Sequence, residues 1–325
     1  MIMDKTIKIT DGTRSLYRVI RLGLGLTGAA CIATLGFFAW QSFYPVSAAD
    51  DWSYQVIHRD VAKAASLMPQ ADGSLMVSQE LTNGRGSIVR ILPDGKRELV
   101  VGNLSKPDGM VATQGGWVFS QEVDGAPVSF LKDGSVTELF KGESVQGLWD
   151  DGDNLYAIED RKVGGRILSY RWSDQTLTVV RDQLNEGESI IRCTDGRMLY
   201  TEKKKGVVRE LTEDGSDPVV LSKLNKPTFL MCDERGLWVN EDSTHRARLL
   251  LIDKQGRPQT ILSFLKAPQS IVRTGKGTYL LAEGGRNRVL ELVPSPALVA
   301  REAMSKPLNI VQLEDHAFDA VKPQQ

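Results

Sequence analysis

The residues best suited to chemistry in this sequence are carboxylates, amides and hydroxyls that recur at corresponding places in six hairpin-like stretches. In a hairpin, the residue entering the first strand lies beside the residue leaving the second strand. Asp108 and Glu188 take the entering position in two stretches, whereas the other stretches place Ser, Gln or Thr there. A residue that breaks an internal repeat is not explained by the shared fold, so these two acids are the leading functional candidates.

The predicted pairs gather oxygen-bearing side chains at one end of the structure, since all six hairpins run in the same direction. Asp108 is expected beside Gln121 and Glu122. The other expected pairs are Ser66 with Gln79, Gln146 with Glu159, Glu188 (or Ser189) with Glu202, Thr228 with Glu241, and Gln269 (or Ser270) with Glu283. Such a set suits a hard divalent cation such as Ca²⁺, which takes oxygen ligands and needs no histidine. The predicted metal ligands are Asp108, Gln146 and Glu188.

The acids at the leaving position also have a structural explanation. They recur from repeat to repeat, so each is expected to bond local turn backbone or to cap the next segment. These acids are Glu159, Glu202, Glu241 and Glu283. Lys203, Lys204 and Lys205 follow one of them in a turn, and such a run of charges is typical of a solvated surface.

The spacing of the hairpins predicts the fold. Six hairpins separated by roughly 40 residues indicate a radially repeated β-architecture. Segments between them carry turns such as Pro93-Asp94-Gly95, so each repeat supplies four short strands. The predicted fold class is all-β: a six-bladed β-propeller of four-stranded blades over residues 50–313, followed by a polar tail at 314–325. Trp117, Trp149 and Trp238 alternate with polar residues in these strands and are expected in the core.

The two ends of the propeller carry further expectations. Closing the ring requires a strand from one terminus to complete a blade begun by the other. Trp52–His58 and Leu308–Leu313 are both candidates, and the sequence does not choose between them. Ser295 followed by Pro296 predicts a short helix that begins there and continues through Met304.

The first 49 residues differ from the rest. A basic segment at 1–21 is expected in the cytoplasm, and the uncharged run at 22–49 is long enough to span a membrane as a helix. Two readings stay open. The run is either a retained anchor that holds the propeller on the extracytoplasmic, periplasmic side, or a signal peptide cleaved near Val46-Ser47-Ala48 that leaves a soluble exported protein.

Composition excludes some function classes. The formal net charge of −1 gives no sign of nucleic-acid binding, and three scattered histidines argue against a histidine-rich metal site. Cys193 and Cys232 fall at similar places in neighbouring repeats. Because neighbouring blades are expected to hold these sites more than about 7 Å apart, the prediction is two buried thiols rather than a disulfide.

One fragment resembles a known group of proteins. Lys106-Pro107-Asp108-Gly109-Met110, followed by Gly116-Trp117-Val118, is similar to a segment of the six-bladed propellers that include gluconolactonase, senescence marker protein, luciferin-regenerating enzyme and strictosidine synthase. The resemblance implies that Asp108 is a metal-binding and catalytic residue. It also shows departures: Ala64-Ala65-Ser66 stands where that group carries Glu-Gly-Pro, and Lys226-Pro227-Thr228 replaces its Pro-Asn-Gly.

Three functions follow as hypotheses. The resemblance implies a lactone or ester hydrolase that uses an oxygen-bound divalent cation, with Asp108 as ligand and base. The missing ligands and the membrane helix favour instead a non-catalytic propeller that binds a protein or small ligand at the membrane. A strictosidine synthase-like enzyme that needs no metal and uses a glutamate at the channel mouth is the third.

Overall fold

The computed structural model describes residues 11–242 and 246–305, and begins with a long apolar helix. Helix α1 spans Asp11–Phe43. Its segment Leu16–Trp40 has a mean hydropathy of 1.8 and is not buried by the rest of the chain, so it is long and apolar enough to cross a membrane. A short strand, β1 (Ser47–Ala48), follows it. The predicted strand Leu308–Leu313 and the tail at 314–325 lie outside the described residues.

The strands after α1 form six antiparallel sheets arranged as the blades of a propeller. In the first three blades, the strands are β3 (Ala64–Pro69), β4 (Leu75–Gln79), β5 (Gly86–Ile91) and β6 (Arg97–Leu104); β7 (Pro107–Thr113), β8 (Gly116–Gln121), β9 (Asp124–Lys132) and β10 (Ser135–Glu143); and β11 (Val145–Asp150), β12 (Asn154–Glu159), β13 (Gly165–Arg171) and β14 (Leu177–Leu184). The expected all-β six-bladed propeller is confirmed.

The other three blades repeat this order. Their strands are β15 (Gly187–Arg192), β16 (Met198–Glu202), β17 (Val207–Glu210) and β18 (Val219–Leu221); β19 (Pro227–Asp233), β20 (Gly236–Glu241), β21 (Ala247–Asp253) and β22 (Pro258–Leu265); and β23 (Pro268–Arg273), β24 (Tyr279–Glu283) and β25 (Arg288–Pro294), with the earlier β2 (Trp52–His58). A 3₁₀ turn covers Gly284–Arg286, and helix α2 spans Pro296–Ser305.

The N-terminal strand closes the ring. Strand β2 pairs with β25, with Trp52 opposite Pro294 and Val56 opposite Leu290, and becomes the outermost strand of the sixth blade. Of the two candidate strands, Trp52–His58 is therefore the one that the described structure uses. This pairing covers the edge that β25 would otherwise expose.

A left-handed residue precedes the first strand of every blade. These residues are Lys63, Lys106, Ser144, Glu186, Lys226 and Ala267, with φ between 42° and 54°. Each turns the chain from the outermost strand of one blade into the first strand of the next. The first strands contact one another around the ring, so they are the innermost strands. We call the end where these first strands begin the mouth end, and the opposite end the far end.

The core lies between adjacent blades. Trp238 is fully buried and its ring lies 4.6 Å from that of Tyr279, while Trp52 meets Trp238 edge-on at 5.4 Å. Trp117 and Trp149 are half-buried and pack against the apolar clusters of neighbouring blades. The predicted helix after Ser295 is also present, and the Ser295 hydroxyl accepts a hydrogen bond from the Leu298 N–H at 3.1 Å.

Cys193 and Cys232 form a disulfide, so the prediction of two buried thiols is wrong. Cys193 directly follows β15 and Cys232 lies in β19, the innermost strands of the fourth and fifth blades. Innermost strands of adjacent blades converge near the axis of the ring, and the two Cα atoms are 5.1 Å apart. The expected separation of more than about 7 Å does not hold for innermost strands, which lie close enough for a disulfide.

We predict that replacing both disulfide cysteines by alanine lowers the free energy of unfolding by about 4 kcal/mol, because the bond closes a loop of 39 residues in the unfolded chain. Urea denaturation of Cys193→Ala/Cys232→Ala beside wild type measures this. Cys31→Ser is the control, since Cys31 is exposed on α1. Equal stability of the double variant and the control would contradict the prediction.

Candidate functional site

A bulge at the start of each innermost strand shapes the mouth end. In β7, Pro107 pairs with Gln121 but the next paired residue is Met110, so Asp108 and Gly109 form the bulge. The same shift occurs in the other five blades. The first bulge residues are Ala65, Asp108, Gln146, Glu188, Thr228 and Gln269. Ser66 therefore lies one residue beyond the position expected for it. Where the sequence left open Glu188 or Ser189, and Gln269 or Ser270, the first bulge residue is Glu188 in the fourth blade and Gln269 in the sixth.

Hydroxyl groups of the second strands hold these bulges in place. The Ser78 hydroxyl donates to the carbonyl of Asp108 at 3.1 Å, and the Ser120 hydroxyl donates to the carbonyl of Gln146 at 2.9 Å. Each bond joins one blade to the bulge of the next. Gly109 is required beside Asp108, because a Cβ there would collide with the Gln146 carbonyl oxygen. The backbone that carries Asp108 and Gln146 is thus fixed from both sides.

The first cluster at the mouth end joins Asp108 to two acids that follow second strands. Ligand oxygens of Glu80, Asp108 and Glu122 all lie within 4.8 Å of one another. Lys106 lies with them, since its ammonium pairs with Glu122 and lies 3.6 Å from Glu80. These pairings raise the pKa of Lys106 although its burial acts in the opposite direction. This lysine therefore stays charged between the acids.

Asp108 is the unusual member of this cluster. It is fully buried, and neither carboxylate oxygen has a hydrogen-bond partner among the described residues. Burial raises the pKa of Asp108 well above its ordinary value, and the charges of Glu80, Glu122 and Glu188 raise it further. A buried carboxylate without partners is costly, so this group either holds a proton or takes a cation.

The second cluster surrounds Glu188. Its Oε1 lies 2.5 Å from the ammonium of Lys203, as an ion pair rather than a well-aligned hydrogen bond, and its Oε2 accepts a hydrogen bond from the Gln146 amide. Lys203 also lies 3.6 Å from Asp242. The amide oxygen of Gln146 has no partner within the part of the chain that the structure describes. Sequence reasoning placed Lys203 in a solvated run, but it is half-buried and pairs inward.

Burial raises two pKa values in this second cluster. The pKa of Glu188 rises from 4.5 to about 8, mainly through burial, with Lys203 opposing the rise and Asp160 adding to it. Burial likewise raises the pKa of Asp160 to about 6. The same ion pair raises the pKa of Lys203, which favours an ionised Glu188. The effect of burial on the pKa of Glu188 outweighs that of the ion pair, because the whole carboxyl is buried and Lys203 contacts only one of its oxygens.

The acids at the leaving position are held by arginines and backbone. Glu159 binds Arg166 through both oxygens, at 2.6 and 2.8 Å, and accepts the Glu143 N–H at 2.9 Å. The other acids have equivalent partners: Arg209 and the Asn185 N–H for Glu202, Arg248 and the Asn225 N–H for Glu241, and Arg286, Arg288 and the Lys266 N–H for Glu283. These contacts account for their burial without a ligand.

The remaining predicted residues also make local contacts. Gln121 accepts the Ser105 N–H through its amide oxygen at 2.8 Å, and the Thr228 hydroxyl donates to the Asn240 carbonyl at 3.3 Å. Ser66 is buried beside Ser78, whose hydroxyl accepts its N–H at 2.8 Å. Gln269 reaches towards Glu80, with 3.5 Å between its amide nitrogen and the carboxylate.

At four of the second strands, sequence reasoning chose the residue before the one that faces the clusters, whereas Glu122 was expected together with Gln121. Side chains alternate along a strand, so two neighbouring residues such as Gln121 and Glu122 point to different sides. The inward members are Glu80, Glu122, Asp160, Lys203 and Asp242. The sequence does distinguish the structural acids. An arginine follows Glu159, Glu202 and Glu241 by seven residues, and each arginine pairs with its acid.

No family model matches this sequence, and no curated protein matches it. Solved structures do. A structure provisionally assigned as a gluconolactonase is 10% identical with a TM-score of 0.62, covering 76% of this chain and 93% of that one. An auxiliary nutrient binding protein from Bacteroides thetaiotaomicron is 14% identical with a TM-score of 0.58, covering 72% of this chain and 69% of that one. A virginiamycin B lyase from Staphylococcus aureus is 15% identical with a TM-score of 0.53, covering 75% of this chain and 89% of that one. At these identities the likeness shows the fold, which this chain shares with gluconolactonase-like, lyase and binding propellers.

The raised pKa of Glu188 predicts how stability depends on pH. The folded protein keeps this proton up to about pH 8, whereas the unfolded chain loses it near pH 4.5. Rising pH through this window therefore favours unfolding. We predict that the free energy of unfolding of Glu188→Gln falls less between pH 5 and pH 8 than that of wild type. Urea titrations across this range measure the slopes, and equal slopes would contradict the prediction.

Proposed function

We propose that this protein is an exported hydrolase of lactones or esters that uses a divalent cation held at Glu80, Asp108 and Glu122. The observation that carries the proposal is the fully buried Asp108 carboxylate, whose oxygens lack partners among the described residues and lie beside two more carboxylates. Three carboxylates and the Lys106 ammonium leave two negative charges, which one divalent ion balances. An all-oxygen donor set suits Ca²⁺.

The chemistry divides between the two clusters. A divalent cation, when bound, polarises a carbonyl oxygen and acidifies a water molecule. Lys106 offsets the repulsion between Glu80 and Glu122 and keeps both at the site. On the other side, Glu188 is a buried carboxyl oriented by Gln146. It is the group suited to give a proton to the leaving oxygen.

A binding function is the second candidate, and the position of Lys106 favours it. An ammonium already lies among the carboxylates of the first cluster, so this lysine satisfies part of their charge without a metal. The likeness in fold to nutrient-binding proteins is compatible with such a role. In that case the site binds a small cationic or hydroxyl-bearing ligand and does no chemistry.

We predict that wild type holds one Ca²⁺ per chain and that Asp108→Asn loses it, because the amide removes the buried negative charge. Elemental analysis after dialysis against calcium measures the metal, and a panel of lactones and esters measures hydrolysis. We expect hydrolysis by the variant to fall by roughly 100-fold or more, about 3 kcal/mol of transition-state stabilisation.

Asp133→Asn is the matched control, since Asp133 is an exposed acid in a far-end turn. Calcium and hydrolysis unchanged in Asp108→Asn would rule out the hydrolase. Absence of both from wild type would leave the binding function as the one to test, by calorimetry with small polyols and amines.

We also propose that α1 is a retained anchor, with residues 1–21 in the cytoplasm and the propeller outside it. Val46 is buried in the core of the fifth and sixth blades, and β1 pairs with β22. Cleavage after Ala48 would remove both. The Cys193–Cys232 disulfide is typical of an oxidising compartment.

For the anchor we predict that the protein recovered from membranes has the mass of the whole chain, 35.9 kDa. Mass spectrometry of the protein extracted after expression checks this. A species that starts at Ala49 or Asp50 would show that the helix is a cleaved signal peptide.

A further inference from the structure

The anchor reaches the propeller at its mouth end. Strand β22 is the fourth strand of its blade and runs towards the mouth end, where it finishes at Leu265. Strand β1 is antiparallel to it, with Ser47 opposite Ser263 and Ala48 opposite Leu262. The chain therefore arrives from α1 at the mouth end and runs down the outside of the fifth blade.

Contacts hold the end of α1 against loops of the mouth end. Arg286 donates to the carbonyl of Tyr44 at 2.9 Å, and the Tyr44 ring lies 4.3 Å from that of Phe264. Arg246 lies over the ring of Phe37 at 5.8 Å. Phe264, Arg286 and Arg246 belong to the last part of β22 and to the loops after β24 and β20, all of which lie at this end of the fifth and sixth blades.

The connection between helix and propeller is too short to let the propeller turn away. Only residues 44–46 separate the end of α1 from β1, a reach of about 10 Å at full extension. Both ends of this link are fixed, because the Tyr44 carbonyl is bonded and Val46 is buried, with its own carbonyl accepting from the Tyr54 hydroxyl at 2.9 Å. Trp40 and Phe43, at the end of the helix, are side chains that favour the membrane interface.

The opposite side of the ring offers a second contact at the same end. The loop after β12 in the third blade exposes Arg161, Lys162 and Val163, and Val163 is 69% exposed. The third blade lies across the ring from the sixth. An apolar side chain beside two cations suits the headgroup region of a bilayer. Exposed apolar residues such as Met304 also occur at the far end, so the orientation rests on the anchor and Val163 adds a contact.

We propose that the mouth end of the propeller docks on the bilayer surface, so that the two charged clusters open towards the lipid rather than the bulk solvent. The partner is the extracytoplasmic lipid surface into which α1 is anchored. This inference rests on the retained anchor of the proposed function, and it requires neither a bound cation nor hydrolysis.

The test uses the full chain with Cys31→Ser, reconstituted into vesicles that carry nickel-chelating headgroups. A nitroxide is attached at Val163→Cys or, as the matched control, at Val136→Cys, an exposed valine at the far end of the neighbouring second blade. The two sites are separated by the length of a blade strand, about 20 Å. Magnetic relaxation by nickel falls steeply with distance, so we expect it to be several-fold stronger at 163 than at 136.

Equal relaxation at both sites, or stronger relaxation at 136, would overturn the docking. Protein that does not stay with the vesicles would overturn the anchor and the docking together. The calcium content of the same samples is measured separately, so a failed hydrolase and a failed docking give different results. A normal docking signal with no calcium would leave this inference standing while the metal proposal fails.

Discussion

The Asp108 carboxylate is buried without a hydrogen-bond partner among the described residues, and this constraint sets the chemistry of the mouth end. Removing a carboxylate from water is expensive unless hydrogen bonds or an opposite charge replace the lost solvation. Here neither oxygen has a hydrogen-bond partner among the described residues, and the negative charges of Glu80 and Glu122 oppose the nearby positive charge of Lys106. Stability alone does not account for three acids in that arrangement. The proposed divalent cation would balance their charge, and no equivalent cluster of three carboxylates occurs elsewhere among the described residues.

The structural acids show how the same fold treats a carboxylate that has no such role. Glu241 is as buried as Asp108, yet both of its oxygens contact Arg248 and one also accepts the Asn225 N–H. Breaking such a pair leaves a buried charge without a partner, so each one fixes its loop to its blade. These pairs frame the mouth end, and the bulge that follows each left-handed residue turns Asp108, Gln146 and Glu188 towards the centre. The acid–arginine pairs therefore make the mouth end rigid, while the side chains at the bulges differ from one blade to the next.

The repeat itself was readable from the sequence. Alternating strands and Asp-Gly turns at a regular spacing predict four-stranded blades, and the six blades follow from counting hairpins. Asp108 and Glu188 stood out because they break the repeat, and the structure places both at the same bulge position. Details that depend on register were lost. A shift of one residue changes the face of a strand, so the choice of Gln79 and Glu159 missed Glu80 and Asp160.

Other features depend on distances between blades, which no local pattern contains. The disulfide was missed because the approach of two innermost strands near the axis is a property of the closed ring. The inward turn of Lys203 was missed because a lysine run looks solvated until a buried acid is placed beside it. The choice of Trp52–His58 as the closing strand was open for the same reason, since both termini carry strand-like residues and only the closed ring decides between them.

Long-wavelength diffraction from crystals grown with calcium tests the central claim most directly, because calcium scatters anomalously there. We expect a single strong peak at the mouth end, about 2.3–2.6 Å from a carboxylate oxygen of Asp108, which is the usual calcium–oxygen distance. A map with no peak beside Asp108, with the Lys106 ammonium alone between Glu80 and Glu122, would contradict it. The mouth would then be a binding site for an organic ligand rather than a metal centre.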